Sequence, residues 1–137
     1  MQATLEKQIT DANLENYVFL RGATIDIETV LSDSNLFLFP SLYEGFPNAL
    51  AEAASAGLPA VAFDDVSGVP ELINDGKNGV LLQRQNTSEI DFANVVVSLM
   101  KKHELRSEMG TESKKIFDRY LPDSIHRQWC TVIAPVN

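Results

Sequence analysis

The sequence predicts an α/β fold in which helices flank a parallel β-sheet. Leu36–Phe39 and Pro59–Phe63 are uninterrupted apolar runs, which is typical of strands that are buried on both faces of a parallel sheet. The segment between the two runs has the apolar spacing of a helix that packs on one side. This alternation indicates a Rossmann-like, doubly wound domain, and such domains bind ligands at the carboxyl ends of their strands.

The overall composition restricts the class of protein. The chain has 137 residues, of which 45% are hydrophobic, so it fits one ordinary domain with a core. The 19 acidic residues outnumber the 11 basic ones, and we therefore expect neither a nucleic acid nor an anionic membrane surface as the main partner. Cys130 is the only cysteine, which suits a reducing cytoplasm. The sequence shows neither a secretory signal pattern nor an apolar span of about 18 residues.

The first third of the chain is predicted to contain three elements before the first of the apolar runs. Apolar residues recur at helical spacing within residues 1–13 and favour a surface helix. Tyr17–Leu20 is aromatic and β-branched, so we interpret it as a short strand. A short helix over Asp26–Asp33 then leads into the strand Leu36–Phe39.

The central segment carries a helix and a second strand. Pro47 suits the first turn of this helix, because its missing N–H costs nothing there. The helix is expected to end at Gly57. Its buried face is expected to comprise Phe46, Ala49, Leu50, Ala53 and Ala54. After the strand Pro59–Phe63, Asp64 and Asp65 are interpreted as turn residues, with contact to a ligand in the same crevice as the alternative.

The rest of the chain is mainly helical. A one-turn helix is predicted over Val69–Ile73 and a strand over Val80–Leu82. Three helices are then predicted over about 88–103, Glu104–Arg119 and about 123–132. Ser88 to Asp91 is a capping-type start for the first of the three long helices. Its apolar face is expected to comprise Ile90, Phe92, Ala93, Val96, Val97, Leu99 and Met100. In the last helix, Ile125, Trp129 and Val132 form an apolar stripe.

Two carboxylates frame the turn that follows Leu36–Phe39. Glu44 lies in the loop, and Glu52 lies roughly 7.5 Å along the helix axis from its start, at about 1.5 Å per residue, so the two cannot share a proton as a tight dyad. Gly45 gives freedom at the bend, and the unpaired N–H groups of the first helical turn attract phosphate. A ligand with hydroxyls at both carboxylates and an anionic centre between them has the layout of a nucleotide sugar. The alternative is that both are ordinary solvated acids.

This turn belongs to a longer series of motifs. In order they are Phe39-Pro40-Ser41, Glu44-Gly45-Phe46-Pro47-Asn48, Glu52-Ala53, Gly57-Leu58-Pro59, Gly68-Val69-Pro70-Glu71-Leu72-Ile73 and Asp75-Gly76-Lys77-Asn78-Gly79. The series resembles, in order and spacing, the donor-binding signature of the retaining glycosyltransferases of family 4, or glycosyl transferases group 1, which have the two-domain GT-B architecture. Two glutamates at this spacing would by themselves be weak support, whereas this linked series of motifs is specific.

The resemblance implies a role for each residue of the turn. Glu44 would be the catalytic residue that contacts the donor sugar near its reacting carbon, and Glu52 would bind the ribose hydroxyls. Backbone amides of the segment would hold the sugar and the diphosphate. The donor-binding positions of the segment are Gly45, Phe46, Pro47, Asn48 and Ala49. By the same resemblance, the backbone around Arg21 and Gly22 would lie near the nucleotide base, with a plain strand-end turn as the alternative.

The resemblance also implies that part of the family's domain is absent. The family's donor-binding half has parallel strands in the order 3-2-1-4-5-6, and the four strands predicted here correspond to its third to sixth. Its first β-α-β unit, the basic pair that neutralises the diphosphate, and the N-terminal acceptor domain would be missing. We therefore expect residues 1–137 to be a partial donor-binding domain, with the last helix packing on the missing domain. Open sheet edges would let the fragment oligomerise.

The expected function is that of a retaining glycosyltransferase. It would transfer a sugar from a nucleotide-diphosphate donor to a hydroxyl of a glycan or lipid-linked acceptor in cell-surface polysaccharide synthesis, without a metal or other cofactor and without a nucleic-acid partner. The expected location is cytoplasmic, at most peripheral at the inner face of the membrane, and the fragment alone is expected to be inactive. The alternatives are a non-catalytic nucleotide-sugar-binding or assembly module, which Glu44 and Glu52 argue against, and a GT-B sugar-nucleotide epimerase, which the Glu44 to Asn48 pattern argues against.

Overall fold

The computed structural model describes residues 2–133 and, within them, a parallel three-stranded sheet with helices on both faces. The strands are β1 (Phe37–Phe39), β2 (Ala60–Phe63) and β3 (Gly79–Leu82). The helices are α1 (Gln2–Asp11), α2 (Ile27–Ser32), α3 (Asn48–Ser55), α4 (Val69–Leu72), α5 (Glu89–Lys101), α6 (His103–Phe117) and α7 (Pro122–Ile133). Short 3-10 turns cover Arg84–Asn86 and Asp118–Tyr120. Apart from the predicted strand Tyr17–Leu20, each predicted element is present with bounds shifted by a few residues.

The sheet has the order β1-β2-β3 and all of its pairs are parallel. Phe37 lies beside Ala60, and Ala60 lies beside Gly79 on its other side. Gly79 is required at this point, because a Cβ there would lie 2.5 Å from the Ala60 carbonyl oxygen. All four residues of β2 are buried, which confirms the prediction of a strand covered on both faces.

The prediction that Leu36–Phe39 is buried on both faces was wrong. Leu38 is 44% exposed and Leu36 precedes the strand. Leu38 lies beside Val61 in the register, and Val61 is covered by Leu99 of α5 and Met109 of α6. Those helices cover the centre of the sheet but leave Leu38, on the outer strand, uncovered.

The predicted strand Tyr17–Leu20 is also absent. The amides of Tyr17 and Val18 both donate to the carbonyl of Leu14, at 2.9 Å, so the chain makes a turn directly after α1. A strand requires a neighbouring strand that accepts its backbone hydrogen bonds, and β1 does not pair with this segment. Tyr17 and Phe19 are consequently 79% and 60% exposed. Helix α1 is on the surface, as predicted, and none of its residues is buried.

Two helices present a different face to the core from the one predicted. In α3 the buried residues are Leu50, Ala51, Ala53 and Ala54, so Ala51 takes the place expected for Ala49, and Phe46 is 42% exposed. In α5 only one side of the predicted wide face packs, through Phe92, Val95, Val96 and Leu99. Ile90, Val97 and Met100 are exposed, because a helix that packs on a single layer buries only a stripe.

The start of α5 is as predicted. The Ser88 hydroxyl accepts a hydrogen bond from the Asp91 amide at 3.2 Å, and the Asp91 carboxylate accepts one from the Ser88 amide at 3.0 Å. This reciprocal pair is a capping box, which satisfies backbone donors at the helix start. The sequence pattern alone was sufficient to predict it because all of its partners lie within four consecutive residues.

Candidate functional site

The segment between β1 and α3 lies at the carboxyl end of the sheet and carries the predicted catalytic residue. Glu44 is half-buried, and its Oε1 accepts a hydrogen bond of 2.8 Å from the Ser41 hydroxyl. A hydrogen bond to a carboxylate is stronger than a hydrogen bond between two neutral groups. The Glu44 carboxylate is therefore held in one orientation by a residue of its own loop.

Pro47 sets the direction in which α3 starts. Its φ of −80° and ψ of 70° are those of an inverse γ-turn, and the Asn48 amide donates to the Phe46 carbonyl at 2.9 Å across it. Pro47 is fully buried and precedes the helix, which begins at Asn48. The prediction of a proline inside the first turn was thus off by one residue.

The backbone amides around this turn are partly free. Within residues 2–133, the amides of Gly45, Phe46 and Ala49 form no hydrogen bond, whereas that of Asn48 is used within the γ-turn. Pro47 contributes no N–H and no side chain caps the helix. Unpaired amides at a helix start bind anions. Of the predicted donor-binding positions, the four that carry an N–H are Gly45, Phe46, Asn48 and Ala49, and three of these amides are therefore free.

The prediction that Gly45 supplies backbone freedom at the bend was wrong. Its φ is outside the left-handed region, so its backbone does not require glycine. An added Cβ would have no atom within 4 Å. The space next to Gly45 is therefore open, and a larger residue there would project into the opening rather than into the protein.

Glu52 lies one helical turn beyond the start of α3. It is exposed and four residues from Asn48, so the two side chains share one face of the helix. Glu44, the free amides and Glu52 therefore follow one another along this strand-loop-helix unit, and their joint contact with a donor stays a prediction.

An arginine that sequence reasoning missed lies at the same edge. Arg84 donates from Nη2 to the Ser41 carbonyl at 2.7 Å and from Nε to Asp65 Oδ2 at 2.8 Å. Its Cζ lies 3.9 Å from the centre of the Phe63 ring, a cation–π geometry. Ser41, Asp65 and Arg84 each follow the last residue of their strand by two positions. That shared position was the signal that could have predicted the cluster.

Asp65 is therefore an ion-pair partner and a turn residue, as the preferred interpretation had it. The hydrogen bond from Arg84 holds the pKa of the Asp65 carboxyl below its usual value. The side chain of Asp65 remains 45% exposed, so the pair contributes little to the free energy of unfolding. Its effect is on the orientation of Arg84.

Arg21 and Gly22 lie elsewhere. Arg21 lines a cavity of about 560 Å³ between α1 and residues 15–21, and no residue of the turn after β1 lines it. The Arg21 guanidinium lies 5.5 Å from the ring of Phe19, and Gly22 has a φ of 69°. The structure does not bring these two residues together with Glu44 and Glu52, so their role at the nucleotide base stays a prediction.

Residues 2–133 contain no group of three or more His, Cys, Asp and Glu residues arranged to hold a metal ion. None of the helices in this range is both long and apolar enough to cross a membrane.

Comparison with known proteins decides the family. The family model described as "Glycosyl transferases group 1" matches residues 1–116. The chain belongs to this family. The match includes the loop with Glu44, the helix α3 with Glu52 and the strand end with Arg84. The candidate site therefore lies within the part of the chain that matches the group 1 glycosyltransferase family.

Individual relatives agree with this assignment. The poly(ribitol-phosphate) alpha-N-acetylglucosaminyltransferase of Staphylococcus aureus (strain COL) is 35% identical over 126 residues, which are 91% of this chain and 25% of that protein. The pneumococcal O-GlcNAc transferase GtfA, in complex with UDP and GlcNAc, has a TM-score of 0.82 at 27% identity over 95% of this chain and 26% of its own. Anabaena HepE in complex with UDP has a TM-score of 0.86 at 25% identity, and the match covers 98% of this chain and 36% of the HepE chain.

These likenesses confirm the predicted fold class, a Rossmann-like sheet of the kind found in the C-terminal half of GT-B glycosyltransferases. This group 1 chain spans about a quarter of the length of the S. aureus relative and about a third of HepE. It corresponds to the part of those proteins that contains the strand-loop-helix unit.

Proposed function

We propose that the protein is a retaining glycosyltransferase that transfers a sugar from a uridine-diphosphate donor to a hydroxyl group of a cell-surface glycan or its lipid-linked precursor. The observation that carries this proposal is the half-buried Glu44 carboxylate, which Ser41 orients at 2.8 Å beside free amides at the start of α3. Family membership supports it, and the UDP complexes of GtfA and HepE support uracil as the base of the donor.

The roles of the residues follow from charge and position. The free amides of Gly45, Phe46 and Ala49 would donate to the diphosphate and the sugar, because they are fixed donors at a positive helix end. Glu52, on the exposed face of α3, would accept hydrogen bonds from the ribose hydroxyls. Glu44 would accept hydrogen bonds from the sugar and orient it, and it would not act as a nucleophile.

The proposed reaction keeps the configuration of the sugar. The acceptor hydroxyl attacks the anomeric carbon from the face that the diphosphate leaves, so the bond to the acceptor oxygen forms where the bond to the phosphate oxygen breaks. The departing phosphate oxygen takes the proton of the hydroxyl. The amides at the start of α3 would stabilise the negative charge that develops on the leaving group. No metal ion takes part in this scheme.

The rest of the site would come from another part of the complete protein. Trp129 and Val132 on α7 are 60% and 75% exposed, and with Ile125 they form the predicted apolar stripe. We place this stripe against an N-terminal acceptor domain, which would close the cleft over the donor. The reaction is placed in the cytoplasm, with the enzyme peripheral at the inner face of the membrane.

The test is a transfer assay on the complete protein with a panel of UDP-sugars and hydroxyl acceptors, comparing the wild type with Glu44→Gln. We expect turnover to fall about 100-fold or more, the range seen when a preorganised transition-state contact is removed, with little change in melting temperature. Glu104→Gln, which makes the same change at an exposed glutamate on α6, is the control and should keep full turnover. Full turnover by Glu44→Gln, with an altered melting temperature, would exclude Glu44 from the reaction.

A further inference from the structure

Arg84 is held in one position by groups from two other strand ends. Its Nε donates to Asp65 Oδ2 at 2.8 Å and its Nη2 donates to the Ser41 carbonyl at 2.7 Å. The guanidinium plane is supported by the Phe63 ring, 3.9 Å from Cζ, and that ring packs on Phe92 with the centroids 5.5 Å apart. The Arg84 side chain is 26% exposed. It is therefore part of the framework beneath the site rather than a free surface charge.

Ser41 joins this framework to the predicted catalytic carboxylate. Its carbonyl oxygen accepts from Arg84, and its hydroxyl donates to Glu44 Oε1 at 2.8 Å. Both groups belong to one residue, so a shift of the Ser41 peptide also shifts the hydroxyl that orients Glu44. The orientation of Glu44 thus depends on a residue 43 positions away from Ser41 in the sequence.

We propose that Arg84 is a positioning residue for Glu44, acting through Ser41. The inference rests on the proposed function of Glu44 and adds to it a residue outside the motif series. Arg84 would fix the loop after β1 in the arrangement in which Glu44 reaches the donor sugar. Its own contact atoms are the Ser41 carbonyl, the Asp65 carboxylate and the Phe63 ring, and it need not touch the sugar.

The chemistry of the three contacts explains why an arginine is required. A guanidinium is planar and presents N–H groups in several fixed directions, while one of its faces stacks on an aromatic ring. It can therefore bond to Asp65 and Ser41 while it lies on Phe63. A lysine ammonium at the same place keeps the charge but is a compact group that cannot make all three contacts. Arg84→Lys consequently separates positioning from charge.

The test measures kcat, the KM for the donor and UDP affinity in the complete protein. We expect Arg84→Ala and Arg84→Lys to lower kcat about 10- to 100-fold, as a small misplacement of a catalytic group does, with UDP affinity unchanged. Affinity is expected to persist because the amides at the start of α3 and Glu52 do not contact Arg84. A loss of UDP affinity with kcat unchanged, or full kcat in Arg84→Lys, would overturn the positioning role.

Arg106 provides a matched control. Its Nη1 donates to the carbonyls of Leu99 and Met100, at 2.6 Å each. It lines a cavity with Ser34 and Pro59, which precede β1 and β2, and so lies at the opposite end of the sheet. Arg106→Ala removes the same kind of hydrogen bonds and should lower the melting temperature without lowering kcat. An equal loss of kcat in the two alanine variants would show that Arg84 has only a structural role.

A double variant tests whether the effect passes through Ser41. Ser41→Ala removes the hydroxyl that orients Glu44 and keeps the carbonyl that Arg84 binds, so we expect it to lower kcat also. Residues that act as one unit give non-additive losses. Ser41→Ala with Arg84→Ala should therefore be about as slow as the slower single variant. Losses of kcat that multiply would contradict the route through Ser41.

NMR order parameters provide a readout that does not require activity. We expect the order parameters of the backbone amides of residues 41–46 to fall from about 0.85 in the wild type to about 0.6 or below in Arg84→Ala, because a charged hydrogen bond to the loop is lost. Arg106→Ala should leave this loop unchanged. If the wild type transfers sugar from none of the UDP donors, the proposed function fails, and the order parameters still decide whether Arg84 holds the loop. Unchanged order parameters in Arg84→Ala would refute the inference.

Discussion

Gly68 packs against Pro47 so closely that a Cβ on Gly68 would lie 2.6 Å from the Pro47 Cδ. Gly68 precedes α4 with a φ of 79°, and Pro47 is fully buried at the γ-turn that starts α3. The loop after β2 therefore supports the turn that aims the free amides. Both the left-handed backbone and the contact with the proline ring require glycine at this position.

Gly68→Ala is expected to destabilise the protein by about 2 to 5 kcal/mol, the sum of roughly 1 to 2 kcal/mol for a left-handed alanine and about 1 to 3 kcal/mol for overpacking. Gly76→Ala is the control, because Gly76 also has a positive φ, of 73°, but an added Cβ there has no atom within 4 Å. It should cost about 1 to 2 kcal/mol. Urea unfolding of the two variants measures the difference, and equal losses would show that the contact with Pro47 has no energetic effect.

Glu52→Ala is expected to weaken UDP binding by about 1.5 to 3 kcal/mol, because two ribose hydroxyls would lose a charged acceptor. Isothermal titration calorimetry with UDP on the complete protein measures this change. Glu28→Ala, which removes an exposed acid on α2, should bind UDP like the wild type. If Glu52→Ala also binds like the wild type, Glu52 is not at the ribose.

Gly45→Ala should separate donor binding from stability. Its backbone is outside the left-handed region and the added methyl group meets no protein atom within 4 Å, so the melting temperature should stay the same or rise slightly. The methyl group would occupy the space next to the free amides, and we expect the affinity for the UDP-sugar to fall at least about tenfold, as overpacking of a contact does. Unchanged affinity would mean that the donor does not approach Gly45.

Acid should remove the contribution of the capping box at α5. Hydrogen bonds from the Ser88 side chain and then from its amide lower the pKa of the Asp91 carboxyl from its usual value of 3.8. A carboxyl group whose folded-state pKa is lowered stabilises the protein above its unfolded-state pKa, and this contribution is lost as the pH falls through the folded-state value. Asp91→Asn should therefore be less stable than the wild type at pH 7, and the difference should shrink below pH 3.8.

The measurement is urea unfolding of both proteins across this pH range. Glu89→Gln changes another exposed acid of the same helical turn, which makes no hydrogen bond with Ser88, and it should leave the pH dependence unchanged. A constant difference between the wild type and Asp91→Asn at all pH values would show that ionisation of Asp91 does not contribute through the cap.

The sequence by itself determined the features whose causes are local. The apolar run Pro59–Phe63 was correctly predicted to contain a strand covered on both faces, and the Ser88–Asp91 box contains all of its hydrogen-bonding partners. The order of Glu44, the helix start and Glu52 was likewise predictable, because neighbouring residues define the strand-loop-helix unit.

Only the tertiary structure decided which apolar segments find partners. Tyr17–Leu20 has the composition of a strand, yet among the described residues no strand pairs with it. The amides of Tyr17 and Val18 donate to the Leu14 carbonyl instead. Leu38 is an apolar residue of the kind found in cores, yet α5 and α6 do not cover it and it stays exposed. Neighbours that are distant in the sequence determine both outcomes, and composition contains no information on them.

The same reason explains why Arg84 was missed. Its partners Ser41 and Asp65 are 43 and 19 positions away in the sequence, and only the parallel order β1-β2-β3 brings the three strand ends together. The sequence thus determined where the two carboxylates stand along the strand-loop-helix unit. The assembly of the sheet determined which arginine bonds to the loop that carries Glu44, because a parallel sheet places the ends of separate strands side by side.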